Sequence, residues 1–177
     1  MKFLLKYKYV FFIAFTALAI CFLNYTPHTW LSGWDTLHPE LDFNLNISRL
    51  ISGVWRDDQG LGSVAGHSHM SDLPRVLLLY IFNLVLPTSA VRYAYIFLMY
   101  ILGPIGAYFL ISNISNTHQK KDTISFIGAL YYMLNVGAIQ QFFVPFEMFP
   151  TQFAFLPWIV LFSIQFLSTS SKKSLFL

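Results

Sequence analysis

Charged residues are scarce in this sequence: they make up 11% of the chain, against about 25% in typical soluble domains. Hydrophobic residues make up 56%, more than a soluble core of this size can absorb, so part of the surface must face lipid. The 19 Phe and 10 Tyr residues fit a helical membrane protein with aromatic side chains at its interfaces. No basic patch lies among polar residues, so the sequence does not indicate a nucleic-acid partner.

Cysteine is nearly absent as well. The single Cys21 lies within the first apolar run, where it can form no internal disulfide and offers no metal-binding spacing. Internal repeats and low-complexity tracts are also lacking. We therefore expect one membrane domain over residues 1–177. A new apolar run begins at Ser174, after the last lysines, which indicates the N-terminal part of a longer chain; a frayed C-terminal tail is the alternative.

Four apolar stretches predict an all-α, polytopic membrane protein with about four transmembrane helices. The predicted spans are residues 9–25, 91–111, 124–139 and 151–167. Residues 76–86 form a further apolar stretch, bounded by Pro74 and Pro87. Eleven residues give about 17 Å of helix, too short for a hydrocarbon core of about 30 Å. Residues 76–86 are therefore predicted to be an interfacial helix.

The lysines determine the predicted orientation. With four crossings, all seven lysines fall on one side of the membrane, and the positive-inside rule makes that side cytosolic. A fifth crossing at 76–86 would place Lys120 and Lys121 outside. We therefore predict a multi-pass protein of a prokaryotic plasma membrane with a cytosolic N-terminus. For the first span, a cleaved signal peptide is the alternative, because residues 17–19 resemble a cleavage pattern.

The polar stretch 26–75 is predicted to be one large outer loop, and it holds six of the chain's eight acidic residues. Within it, residues 39–55 carry apolar side chains at helical spacing. These are Ile47, Leu50, Ile51, Val54 and Trp55. We therefore expect an amphipathic helix that lies flat on the outer membrane face, with packing against neighbouring spans as the alternative.

Polar residues of the outer loops form the candidate site. Asp35 follows Trp34 near the membrane, where partial shielding from water favours a general base; a solvated acid is the alternative. The candidate substrate-binding residues are Glu40, Arg49, Arg56, His67, His69, Arg75 and Glu147. The two histidines have the spacing of a metal-ligand pair but no third ligand nearby, so a polar cleft wall is favoured. We predict no metal and no other cofactor.

The order of these features resembles the N-terminal part of membrane glycosyltransferases with the C-type (GT-C) fold, closest to arabinofuranosyltransferase-like and YfhO-like membrane proteins. The shared order is a cytosolic start, one span, an outer loop with an early acid at Trp34-Asp35, a helix reaching Gly53-Val54-Trp55, and further spans. The resemblance implies Asp35 as catalytic base, a polyprenyl-phosphate sugar donor, a glycan or lipid acceptor and contact with membrane lipid. Arg49, Arg56 or Arg75 would bind the donor phosphate. Some members use a divalent metal, which nothing in this sequence requires.

The alternative is a non-catalytic membrane protein, either a transporter fragment or a scaffold subunit. Transporters usually carry charged or helix-breaking residues near the middle of their spans. The breakers within the predicted spans are Gly103-Pro104, Gly106 and Pro157, and no acid or base lies mid-span. The sequence therefore favours chemistry at the outer surface over transport.

Overall fold

The structure, a computed structural model, describes residues 7–32, 38–52, 55–56, 61–64, 72–116, 118–142 and 148–169. Most of them lie in helices, which confirms the all-α prediction. The α-helices are α1 (Lys8–Leu23), α2 (Phe43–Ser52), α3 (Leu73–Asn83), α4 (Thr88–Ile114), α5 (Lys121–Leu134), α6 (Val136–Ile139) and α7 (Met148–Thr169). The other elements are the 3₁₀ helices Pro39–Leu41 and Gln140–Phe142 and an antiparallel hairpin of β1 (Trp55–Arg56) and β2 (Ser63–Val64).

Two of the described helices are long and apolar enough to cross a membrane: α4, with 27 residues, and α7, with 22. The bent pair of α5 and α6 is a third if it is taken as one span. α1 is apolar but has 16 residues, or about 24 Å of helix, short of the roughly 30 Å hydrocarbon core. By length and composition, two or three described helices could thus span a membrane, against the four predicted.

The chain divides into two compact units. The loop unit comprises Pro27–Leu31 and Asp35–Tyr95, and the helical unit comprises Met1–Thr26, Ser32–Trp34 and Ile96–Leu177. α4 begins in the loop unit and continues in the helical unit. The loop unit therefore contains most of the predicted outer loop together with α3 and the first turns of α4.

Helices of the helical unit approach one another at glycine and proline. A side chain at Gly106 would place its Cβ 2.5 Å from Nε1 of Trp158, so α4 and α7 can approach this closely because residue 106 is glycine. Pro157 has no N–H to bond the Phe153 carbonyl four residues earlier. The Tyr132 hydroxyl donates to that carbonyl instead, at 2.8 Å. Two of the predicted helix breakers are thus packing positions between helices.

The third predicted span, 124–139, is interrupted. Asn135 separates α5 from α6 with an extended backbone (ψ 157°). The axes of α5 and of the segment that follows Asn135 differ by 51°. Asparagine favours such a break because its short side chain bonds to nearby backbone groups and competes with the helix ladder.

Side chains satisfy the backbone groups that the break releases. Asn135 Oδ1 accepts a hydrogen bond from the Ala138 N–H at 3.0 Å, and its Nδ2 donates to the Tyr132 carbonyl at 2.6 Å. The Tyr100 hydroxyl, on α4, donates to the Met133 carbonyl at 2.9 Å. Such pairing is required of non-helical backbone within a membrane. The break is therefore an organised feature of the helical unit.

In the loop unit, α2 packs against α3. Phe43 and Leu50 of α2 are buried, as are Val76 and Leu79 of α3. The Phe43 ring meets the Tyr80 ring edge to face, with centroids 5.4 Å apart. α3 has the 11 residues predicted for the interfacial helix but begins and ends three residues earlier.

The predicted helix over 39–55 is wrong at its C-terminal end. α2 ends three residues before Trp55, whose backbone pairs with Val64 in the hairpin. That pairing supplies Trp55 with the backbone partners that a longer helix would have provided. Leu50 and Ile51, predicted on one apolar stripe, differ in exposure: Leu50 is buried against α3, whereas Ile51 is 69% exposed.

Candidate functional site

The predicted site residues fall into three groups. Four of them lie outside the described residues: Asp35, His67, His69 and Glu147. For Arg56, only the backbone is described, and it lies in β1. The remaining three, all in the loop unit, are Glu40, Arg49 and Arg75. The described part of the site is built from these three residues and their neighbours.

Glu40 lies in the 3₁₀ turn that begins at Pro39, and its side chain is 1% exposed. Its Oε1 lies 3.0 Å from Nε of Arg92, and its Oε2 accepts a hydrogen bond from Nη2 of Arg92 at 3.5 Å. His38 Nδ1 lies 3.1 Å from the same Oε1. Arg92 is itself buried, with 3% of its side chain exposed. Because both charges are removed from water, each depends on the other.

No role is predicted for Arg92 from the sequence, although its position in the chain indicates that it needs a partner. Arg92 is an ionisable residue one position inside the predicted apolar run 91–111, where an unpaired charge is costly. The next residue, Tyr93, has its hydroxyl 2.9 Å from Oγ1 of Thr29. The first turns of α4 therefore contact the rest of the loop unit at two points, Thr29 and Glu40.

Arg49 of α2 and Arg75 of α3 line one small cleft, which the packing of these helices creates. Asn46 and Asp72 are also in its lining. Arg75 Nη2 donates to Oδ2 of Asp72 at 3.1 Å. The cleft has a volume of about 10 Å³, close to that of one water molecule. The lining contains two guanidinium groups and one carboxylate, so its net charge is +1.

The cleft brings together two side chains of a type that binds anions, those of Arg49 and Arg75. Guanidinium groups match the oxygens of phosphate or carboxylate in geometry and charge. Among the residues that the structure describes, no group of three or more His, Cys, Asp or Glu side chains could hold a metal ion. The predicted histidine pair lies outside those residues.

Comparison with known proteins finds no relative: no family model, no curated protein and no solved structure matches this chain. The resemblance to C-type glycosyltransferases thus depends on the order of features along the sequence.

Proposed function

We propose that this chain is the N-terminal part of a membrane glycosyltransferase that uses a polyprenyl-phosphate-linked sugar at the outer membrane face. The acceptor hydroxyl gives its proton to the Asp35 carboxylate while its oxygen attacks the anomeric carbon of the donor sugar. The bond from that carbon to the phosphate oxygen breaks, and polyprenyl phosphate leaves with the electron pair. This reaction needs an activated acceptor and a neutralised leaving phosphate.

The observation that supports this proposal is the cleft that Arg49 and Arg75 share. The two residues are distant in sequence, yet α2 and α3 bring both guanidinium groups to one lining. A cleft of about 10 Å³ admits roughly one water molecule, so a phosphate binds at its rim. The arginine side chains then turn outward to contact the phosphate oxygens.

Replacing Arg49 or Arg75 with glutamine is expected to raise the KM for a polyprenyl-phosphate sugar at least about tenfold, because a hydrogen bond to a charged group is lost. The change in kcat should be small, since the phosphate is contacted in both the ground state and the transition state. The measurement is release of polyprenyl phosphate by the full-length protein in nanodiscs. Asn44→Ala, on the exposed side of the same α2 helix, is the control and should behave as the wild type. Unchanged KM in both arginine variants would contradict the proposal.

For the topology, we propose four crossings formed by α1, α4, the bent pair of α5 and α6, and α7. The N-terminus is then cytosolic and the loop unit faces outward. The support is the distribution of lysines and the surface of α1. Three phenylalanines of α1 are 54–71% exposed, which suits contact with lipid chains: Phe12, Phe15 and Phe22.

The topology is tested by labelling two introduced cysteines in a Cys21→Ala background. A cysteine at Ser63 is expected to react with a membrane-impermeant maleimide in intact cells, and a cysteine at Thr117 only after the membrane is opened. The physical reason is the positive-inside rule, which assigns the lysines beside Thr117 to the cytosol. Labelling of the Thr117→Cys variant from outside would show that the number of crossings is not four.

We propose an interfacial position for α3, and its exposed apolar residues support this. Beside the buried residues that contact α2, it exposes Leu77, Tyr80 and Ile81. Two further apolar residues, Leu84 and Val85, are 69% and 85% exposed just beyond its end. An 11-residue helix with an apolar exposed side fits the headgroup boundary of a bilayer.

A non-catalytic transport protein is the second candidate, and the break at Asn135 favours it. Interrupted membrane helices often line the substrate sites of transporters. The two candidates differ in what happens to a sugar donor: a transferase releases polyprenyl phosphate, whereas a transporter leaves the donor chemically unchanged. The donor-cleavage assay described above therefore separates them.

A further inference from the structure

A cavity of about 390 Å³ lies at the Asn135 break in the helical unit. We call it the break cavity. Its lining includes four carboxamide side chains and two phenylalanines: Asn135, Gln140, Gln141, Gln152, Phe149 and Phe153. The volume falls in the range of roughly 300–1,000 Å³ that is typical of small-molecule sites.

One lining residue carries a buried polar atom with unused hydrogen-bonding capacity. Gln141 is 5% exposed, and its Oε1 has no hydrogen-bond partner among the residues that the structure describes. Buried polar atoms are nearly always paired, and each exception calls for an explanation. A ligand that donates a hydrogen bond in the cavity would satisfy this oxygen.

The aromatic wall of the cavity is held in place before any ligand binds. The Phe153 ring stacks on Tyr132 at 4.6 Å between centroids, and the Tyr132 hydroxyl bonds to the Phe153 carbonyl. Asn135 is likewise committed to capping the broken helix. The glutamines at 140, 141 and 152 are therefore the groups available to select a ligand.

The chemistry of the lining indicates an uncharged ligand with several hydroxyl groups. A carboxamide both donates and accepts hydrogen bonds, as a hydroxyl does. None of the described lining residues is charged, so nothing there would compensate a ligand's charge, which is costly to bury unpaired. A purely hydrocarbon chain would leave the glutamines unsatisfied. Polar groups set among aromatic and aliphatic walls are the usual design of a site for a partly polar small molecule.

We propose that the break cavity binds a sugar group, with Gln141 and Gln152 hydrogen-bonded to its hydroxyls and the phenylalanines packed against its ring. The sugar can be a free saccharide or the headgroup of a glycolipid, because the cavity recognises the hydroxylated ring that both share. This site depends on the helical unit alone and does not rest on the transferase chemistry proposed for the loop unit.

The test uses the whole chain in phosphatidylcholine nanodiscs with two probes. Methyl β-D-glucopyranoside is titrated as a free sugar by saturation-transfer NMR, and glucosyl-diacylglycerol is incorporated as a glycolipid and counted by native mass spectrometry. We expect one or both probes to bind. Gln141→Met and Gln152→Met should each weaken that binding at least tenfold, because methionine keeps the length of glutamine and removes its amide.

Gln165→Met is the matched control: Gln165 is on the same helix as Gln152 but does not line the break cavity, so binding should be unchanged. Gln152 is exposed, which protects that variant against misfolding. Ligand-free Gln141→Met should melt no lower than the wild type, since it removes a polar atom without a described partner. Binding of neither probe, or binding that both cavity variants leave intact, would overturn the proposal.

Discussion

Replacing Arg92 with methionine is expected to destabilise the loop unit by about 3–5 kcal/mol, because the buried Glu40 carboxylate loses the guanidinium group that compensates its charge. Only 1% of the Glu40 side chain is exposed, so water cannot take over the role of the guanidinium group. The loss is a large share of the roughly 5–15 kcal/mol by which folded domains are stable. Limited proteolysis of the loop unit in nanodiscs, followed with temperature, measures the change.

Two further variants identify the cause. The double variant Glu40→Leu with Arg92→Met removes both charges and should recover most of the lost stability, because apolar pairs often replace buried ion pairs without loss. Asp72→Asn breaks the partly exposed pair with Arg75 and should cost no more than about 1 kcal/mol. A double variant no more stable than Arg92→Met alone would show that the buried charge is not the cause.

Asp35→Asn is expected to lower the turnover of the full-length protein by about 10²–10⁴-fold, the usual contribution of a positioned general base. Asparagine keeps the shape of the side chain and removes the proton acceptor. Expression, membrane insertion and the melting temperature should stay at wild-type values. The measurement is kcat for sugar transfer from a polyprenyl-phosphate donor, with binding of that donor determined separately.

Asp57→Asn is the matched control for Asp35. Asp57 begins the Gly-containing segment 57–62, whose composition predicts a solvated turn. Its kcat should remain near that of the wild type. Undiminished turnover in Asp35→Asn would remove the catalytic assignment. If the wild type and every variant bind the donor without cleaving it, the transport candidate is favoured instead.

The sequence predicts part of the candidate site, because charged residues are few in this chain and therefore easy to locate. Arg49 and Arg75 stand out in the sequence as candidate phosphate ligands from their type and their place in the predicted outer loop. Their meeting in one cleft could not be predicted, since it requires α2 to pack on α3 through Phe43 and Leu50. For the same reason the sequence predicts Glu40 as a substrate ligand, whereas its carboxylate is occupied by Arg92, 52 residues away.

The sequence by itself determined the helical, membrane-compatible character of the chain. Lipid offers no hydrogen-bond partners to the backbone, and a long apolar run pairs its own N–H and C=O groups by forming a helix. The predicted spans 91–111 and 151–167 accordingly lie within α4 and α7. Composition and local pattern are sufficient for such elements because the interactions that form them are four residues apart.

Only the tertiary structure decided where charges pair and where a helix breaks. The apolar stretch 124–139 contains no proline, so its pattern predicts a continuous helix, yet the chain breaks at Asn135, where the Tyr100 hydroxyl of α4 donates to the Met133 carbonyl. Residues far apart in sequence must meet before such a break is stable. That meeting depends on packing between helices, which no local pattern encodes.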